Sequence, residues 1–504
     1  MMGRTLFSGV ALTALALALP ARAETLRDAL AQAYRTNPTI TGARADLRAQ
    51  DENVPIARAS GLPAADAATS YTENLRNAQN NLFAADRQVI ARANVSVPII
   101  NFGGVKNAVR AADTRVEAGR ANLRGTEAQL FTDVVTAYMD VIRDEAIVAL
   151  NQQNLRVLDV NLQASRDRFE VGDLTRTDVA QSQARRSIAE GQLRTAEAQL
   201  IASRENYIRV VGSPAGALEA PPPLPGMPDA PAAAVEIALD NNPLLLAAQK
   251  ARDAARYDVR VARAGRLPRV SAVAGGNYFN NLNSIAPVQG IAVANSGYGY
   301  AAGLELTVPL FQGGRPAAQI RQAQARQGQA IEQVTATERG VIAQARSAYA
   351  SWQSSLQVIT SSQVAVDANK LSLEGVRAEN SVGTRTILDI LDAEQELLDA
   401  QVQLVTARRN AYVAGFSLLA AMGRAEASDL NLDGGPLYDP MTNYKRVRNK
   451  ISDWGSDPAP QPIATPTSAT PAQTPAVGKN PLLADPALQR PVDTNPANPA
   501  GVPR

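Results

Sequence analysis

The chain carries an internal duplication, and this feature constrains its fold more than any other. Gly172 and Gly383 stand in matching segments that lie 211 residues apart. The same spacing relates Ala137-Tyr138 to Ala348-Tyr349, Val97-Pro98 to Val308-Pro309 and Gly212 to Gly423. Nearer the start, Asn37-Pro38 matches Asn242-Pro243 and Leu62-Pro63 matches Leu267-Pro268 at a spacing of 205 residues. Two copies of one unit therefore make up most of the chain, and the second copy has a longer strand-to-strand loop.

The copies divide the chain into segments. We place the first repeat at residues 24–219 and the second at 232–430. A proline-rich connector at 220–231 joins them, since such a run cannot be helical and acts as a stiff spacer. The C-terminal extension covers residues 431–504, and its wealth of Pro, Ala, Thr and Asn predicts disorder from about residue 454.

Each repeat is predicted to contain a helix, two strands, a very long helix, a glycine turn and a further long helix. The stretch Gly104–Glu170 has no proline and would extend roughly 100 Å as a helix. A seven-residue apolar spacing typical of a coiled-coil seam runs along it. Its members are Val141, Val148, Leu155, Leu162 and Phe169, and in the second copy Ile359, Val366 and Leu373. Pro316 suits the first turn of the second long helix.

The segments before the long helices alternate between apolar and small or polar residues. Tyr298, Tyr300, Ala302, Leu304, Leu306 and Val308 alternate with Gly299, Ala301, Gly303, Glu305 and Thr307. The stretch 89–97 alternates in the same way, and less regular strands are expected to start at Ala64 and Arg269. Alternation predicts strands with one apolar face, and their length suits a tilted strand that crosses an outer membrane. A soluble hairpin packed on a helical bundle would show the same alternation.

Four strands are too few for a membrane barrel of one chain. The smallest such barrels have about 8 strands, and an open sheet edge in lipid leaves backbone groups unpaired. The sequence therefore predicts a mainly α fold with long coiled-coil helices and four strands that are pooled with those of other copies.

The first residues indicate export. Arg4 precedes the apolar run from Leu6 to Leu19, and Ala21 and Ala23 complete a small-x-small cleavage signature. The run is shorter than the roughly 20 residues that a membrane-spanning helix needs. We therefore predict a signal peptide at residues 1–23 that is cut before Glu24.

The composition argues against an enzyme. Without Cys and His the chain has no thiol nucleophile, no disulfide, no lipid-modified cysteine, and neither the commonest zinc ligand nor the commonest general base. It also has no phosphate-binding Gly-Lys loop and no nucleophile elbow. The 50 basic and 48 acidic residues are dispersed, which disfavours nucleic acid as a partner. We expect no catalytic, cofactor-binding or metal site.

The segment Ser381–Ala393 closely resembles the periplasmic turn of the TolC family of outer-membrane efflux and secretion ducts. The resemblance extends from about Glu24 to Gly423 and includes the Asn-Pro and Leu-Pro pairs of both repeats. It implies a homotrimer with one shared 12-stranded barrel in outer-membrane lipid and an α-barrel that extends into the periplasm. It also implies a periplasmic adaptor and an inner-membrane transporter of the ABC or RND type as partners. The cargo would be small molecules or unfolded protein, in efflux or type I secretion.

The resemblance also implies a constriction at the periplasmic tip. Gly172 and Gly383 mark the two periplasmic turns. Asp389 and Asp392 resemble the family's acidic ring, and their spacing of three places both on one face of a helix.

A set of contacts that hold the tip closed is implied as well. Arg385, Thr177 and Asp178 match the polar residues that tie the two turns together in the family. Asn380 stands where the best-known members have Tyr. The alternative interpretation of these residues is ordinary helix-end chemistry beside a glycine turn.

Two other classes of protein share some of these features. A periplasmic adaptor also has a long helical hairpin, but normally one hairpin flanked by small β domains, which the duplication disfavours. A coiled-coil scaffold without a membrane role would need neither the alternating strands nor the export signal.

Overall fold

The computed structural model describes residues 24–76, 85–285, 293–430, 432 and 437–489. The predicted signal peptide at residues 1–23 and part of the longer strand-to-strand loop lie outside these residues. The first repeat consists of α1 Leu26–Thr36, α2 Pro38–Asp51, α3 Asn53–Ala59, β1 Ala64–Glu73, β2 Arg87–Ile100, α4 Gly104–Glu170 and α5 Arg176–Val211. The second consists of α6 Pro231–Asn241, α7 Pro243–Ala264, β3 Arg269–Asn280, β4 Ser296–Thr307, α8 Arg315–Ser381 and α9 Ile387–Ala421, and α10 Met441–Val447 follows it.

The first long helix has the predicted extent, and the second has the same length. α4 and α8 each contain 67 residues, and each follows a glycine, Gly103 or Gly314, whose φ of +80° lies in the left-handed region that favours glycine. Pro316 lies in the first turn of α8, where its missing N–H costs no hydrogen bond. A short turn then returns the chain along α5 or α9, so each repeat contributes one long helical hairpin. The sheet and the turns lie at opposite ends of the hairpins.

The seven-residue spacing marks buried positions. Val141, Val148 and Leu162 of α4 are buried, and so are Val366 and Leu373 of α8. The spacing fails at Phe169, which is 44% exposed because α4 ends one residue later and its partner helix has not yet begun. Leu155 and Ile359 are half-buried and pack against the core. The predicted seam is therefore confirmed except at the tip of the hairpin.

The four strands form one antiparallel sheet in the order β1-β2-β3-β4. The register places Ala91 opposite both Thr69 and Tyr278, and Tyr278 opposite Tyr298. In the next row Arg92 stands opposite Asn277. Residues directly opposite each other in antiparallel strands share a face, so the predicted alternation continues across the sheet. β4 ends at Thr307, and Val308 therefore follows the strand.

A side-chain cap fastens the start of one helix to the end of another in each repeat. Asn37 accepts a hydrogen bond from the Thr39 N–H (2.8 Å) and donates to the carbonyl of Val210 (2.7 Å). Asn242 accepts from the Leu244 N–H (3.0 Å) and donates to the carbonyl of Ala421 (2.9 Å). The proline after each Asn fits the first helical turn. The Asn-Pro pairs therefore hold α2 against α5 and α7 against α9.

Glu24, the residue after the predicted cleavage position, is firmly held. Its backbone N–H donates to the carbonyl of Ala217 (2.8 Å), and its carboxylate accepts from the Tyr207 hydroxyl (2.7 Å). The Tyr138 hydroxyl lies 2.9 Å from the Glu24 carbonyl oxygen. Tyr138 and Tyr207 are fully buried, so this contact joins the start of the described chain to the main core.

Two parts of the C-terminal extension, for which disorder is expected from about residue 454, contact the helices. In α10, Asn443 donates to the buried carboxylate of Asp51 (2.8 Å). Residues 458–472 are mostly exposed, whereas residues 473–489 contact the helices and bury Leu488 to 2% exposure in the second of two short 3₁₀ turns. Hydrogen bonds from helix side chains to the backbone of this second part supply an anchor that composition does not reveal. Residues 490–504 lie outside the described residues.

None of the helices in the described ranges combines the length and the apolar character that a helix needs to cross a membrane.

Candidate functional site at the helix turns

The two turns at the tips of the hairpins have nearly the same geometry. Gly172 has a φ of +85° and Gly383 a φ of +79°, which is the left-handed conformation that ends many helices. The Gly172 N–H donates to the Phe169 carbonyl (3.0 Å), and the Gly383 N–H donates to the Asn380 carbonyl (3.0 Å). A side chain at either position would be strained, so these glycines fix how each hairpin reverses.

A capping box starts the returning helix in both repeats. Thr175 and Asp178 exchange side-chain and backbone hydrogen bonds at the start of α5, and Thr386 and Asp389 do the same at the start of α9. The hydrogen bonds from the threonine hydroxyl and N–H lower the pKa of both Asp178 and Asp389. Asp178 and Asp389 therefore occupy equivalent positions in the two repeats and hold their charge at neutral pH.

The predicted ring residues have different partners within the chain. Asp389 lies 3.7 Å from the guanidinium of Arg385, one turn away. Asp392 forms an ion pair with Arg185 of α5. This pair links the tip of the first hairpin to that of the second, and both side chains are partly exposed.

The predicted lock residues are not brought together within the chain. The Arg385 guanidinium forms an ion pair with Glu379 (2.8 Å) on its own turn. Asn380 donates to the carbonyl of Arg385 (2.8 Å), so it stabilises the turn itself. Thr177 is exposed on the first turn of α5. Throughout the described ranges, no hydrogen bond or ion pair joins Arg385 to Thr177 or Asp178.

Sequence reasoning missed three features of this site. Arg185, the partner of Asp392, lies on another helix and has no sequence signal of its own. Glu394 is buried and forms an ion pair with Arg377 of α8, which fixes the second hairpin just above the tip. The capping boxes, in contrast, could have been found from the Thr-x-x-Asp pattern before each returning helix. No group of three or more acidic side chains among the described residues is arranged to hold a metal ion.

Comparison with known proteins agrees with this architecture. The family model of outer membrane efflux proteins matches residues 29–213 and 234–424, one stretch in each repeat. The outer membrane efflux protein BepC of Brucella suis is 34% identical over 449 residues, which cover 88% of this chain and 94% of that protein. The outer membrane protein TolC of Escherichia coli is 26% identical over 481 residues, 92% of this chain and 96% of that protein.

A solved structure shares the fold. The outer membrane protein VceC of Vibrio cholerae superposes with a TM-score of 0.68 at 23% identity, over 79% of this chain and 96% of that chain. Two long helical hairpins that carry a two-faced sheet at one end and capped turns at the other define a subunit of an outer-membrane channel. The chain belongs to the outer membrane efflux protein family. It therefore serves as an exit duct for efflux or secretion, in the outer membrane and extending into the periplasm.

Proposed function

We propose that the chain works as a homotrimer in which three copies contribute their sheets to one 12-stranded barrel. The observation that supports this assembly is the pair of sheet edges. Within the described residues β1 pairs with β2 alone and β4 with β3 alone. Lipid offers no hydrogen-bond partners to the free edges, whereas β4 of one copy can pair with β1 of the next.

The helices of the three copies would then surround a periplasmic tunnel. A periplasmic adaptor and an inner-membrane transporter of the ABC or RND type would dock at the tip of the tunnel. Cargo, either small molecules or unfolded protein, would pass from the transporter through the tunnel to the exterior.

The turns would form the gate of this tunnel. Asp389 and Asp392 of three copies would bring six carboxylates around one narrow opening. The Arg385 side chain is about half exposed in one copy. In the trimer its guanidinium would contact Thr177 and Asp178 of the neighbouring copy. Such exposed contacts are individually weak, about 0.2 to 1 kcal/mol, so a docking partner that prefers the open form could release them together. The Arg185–Asp392 ion pair would make the two hairpins of each copy move together when the gate opens or closes.

The assembly is tested by native mass measurement of the protein in detergent, combined with single-channel recording from the same sample. We expect a particle with three times the mass of the chain and stable conductance. A monodisperse monomer that conducts would contradict both the shared barrel and the gate between copies.

A further inference from the structure

The segment that follows α10 is bound to the first hairpin through its backbone. The Arg204 guanidinium donates to the carbonyls of Thr474 and Ala476, the latter at 2.8 Å. The Glu205 carboxylate accepts from the Gln473 N–H (3.1 Å). Further along, the buried Asn480 side chain donates to the carbonyl of Ile142 in α4 (2.7 Å).

The same segment then crosses to the second hairpin. Asp485 forms an ion pair with Arg408 of α9. Lys370 of α8 donates to the carbonyl of Pro486 (2.6 Å), and the buried Gln401 of α9 donates to the carbonyl of Ala487 (3.1 Å). Leu488 is 2% exposed and belongs to an apolar cluster with residues of α4, α8 and α9.

The chemistry of these contacts indicates peptide recognition. Most of the donors are long side chains fixed on helices, and most of their acceptors are backbone carbonyls of an irregular, proline-punctuated segment. Asn480 and Asp485 each precede a proline and accept a backbone N–H two residues later, at 2.9 and 2.7 Å. These two Asx turns preset the shape of the segment, which lowers the entropy lost on binding.

We propose that Arg204, Lys370, Gln401 and Arg408, with the apolar pocket around Leu488, form a peptide-binding track across the two hairpins. Its ligand is a peptide with two Asx-Pro turns, and its resident occupant is residues 473–488 of the same chain. The occupant fastens the first repeat to the second outside the regular helix contacts. This inference does not depend on the trimer or on the gate.

Cross-linking in the full-length protein tests the occupant, because the natural chain contains no cysteine. Lys370→Cys with Pro486→Cys places two thiols at a contact of the track, and a short bifunctional maleimide should join them within one chain. The control pair, Lys370→Cys with Ser468→Cys, uses an exposed position outside the track contacts and should react poorly. Efficient cross-links between chains would overturn the assignment to the same chain, and equal yields in both pairs would overturn the track.

Release of the occupant provides a second test. Leu488→Asp puts a charge into the apolar pocket and should lower the yield of the first cross-link on the order of tenfold, whereas Ala484→Asp, at an exposed position, should leave it near the original value. An unchanged yield with Leu488→Asp would contradict the proposal.

The vacated track should then accept the ligand from solution. A fluorescent peptide of residues 473–489 should bind the full-length Leu488→Asp protein at concentrations up to about 1 mM. This is the order of the effective concentration that a flexible tether gives its ligand. Adding Gln401→Ala and Arg408→Ala should abolish binding, and a peptide of scrambled sequence should not bind. No binding of the native peptide, or equal binding of the scrambled one, would overturn peptide recognition.

Discussion

At the residue scale, Asp178 and Asp389 have the same local role in the two repeats. Each carboxylate accepts hydrogen bonds from the hydroxyl and the backbone N–H of the threonine three residues earlier, and so helps to cap a long helix. A substitution to alanine would remove the cap as well as the charge. Variants that test the gate should therefore carry asparagine, which keeps an oxygen acceptor for the cap.

The proposed lock between Arg385 and Asp178 predicts non-additive effects. Arg385→Ser and Asp178→Asn should each raise the conductance of the isolated channel, since each removes one partner of the closing contact. The double variant should raise it by less than the sum, because the contact can be lost only once. Single-channel recording measures all three variants. Additive increases would show that the two residues do not touch, and three unchanged conductances would place the gate elsewhere.

Glu127 predicts a pH dependence of stability. The Glu127 carboxylate accepts the Ala427 N–H (2.6 Å), and burial, together with the nearby Glu426, raises its pKa to about 7 from an ordinary value of 4.5. Between these values the folded protein holds a proton that the unfolded chain has released. The free energy of unfolding should therefore fall as the pH rises from about 4.5 to 7, by about 3 kcal/mol.

Glu127→Gln should remove most of this dependence while it keeps an acceptor for Ala427. Thermal unfolding of the detergent-solubilised protein at pH 5 and pH 8 measures it, with Asp133→Asn as a control at an exposed acid of the same helix. We expect the wild-type protein and the control to lose stability between the two pH values. The same loss in Glu127→Gln would show that another group titrates.

At the element scale, β4 offers a matched pair of identical residues on opposite faces of the sheet. Ala302 stands opposite Ala274, in the row of Val95, whereas Ala301 stands opposite Gly275, in the row of Asn94. Ala302→Arg would place a charge on the apolar face, at a cost of about 2 to 4 kcal/mol in the middle of a bilayer. Ala301→Arg should be tolerated on the polar face.

The measurement for this pair is the amount of assembled protein in the outer membrane and its resistance to heat or urea. We expect Ala302→Arg to lower both and Ala301→Arg to leave both nearly unchanged. The reverse order, or equal losses, would mean that the apolar face of the sheet does not contact lipid.

At the scale of the whole molecule, the acidic ring exists only if three copies meet. Asp389→Asn together with Asp392→Asn would remove six negative charges from one opening and should weaken the preference of the channel for cations. Reversal potentials in a salt gradient measure this preference for cations, with Asp367→Asn of α8 as a control. If selectivity is unchanged in the double variant, these residues do not line the constriction.

Much of the secondary structure could be predicted from the sequence alone, because local backbone preferences and periodic side-chain patterns determine it. The bounds of α4, the two faces of β4 and the proline in the first turn of α8 all depend on side-chain spacing and backbone conformation, and such properties act within a few residues. The duplication extended each of these inferences to a second copy. The glycine turns belong to the same group, since a left-handed conformation favours one residue type.

Tertiary structure decided the partners of the charged residues and the course of the C-terminal segment. Arg385 pairs with Glu379 and Asp392 with Arg185, because the rotation and approach of the helices determine which side chains meet. No sequence period encodes that geometry. Residues 473–488 have a composition typical of disorder, yet helices distant in sequence supply donors for their backbone carbonyls, and such donors become available only after the hairpins have folded side by side.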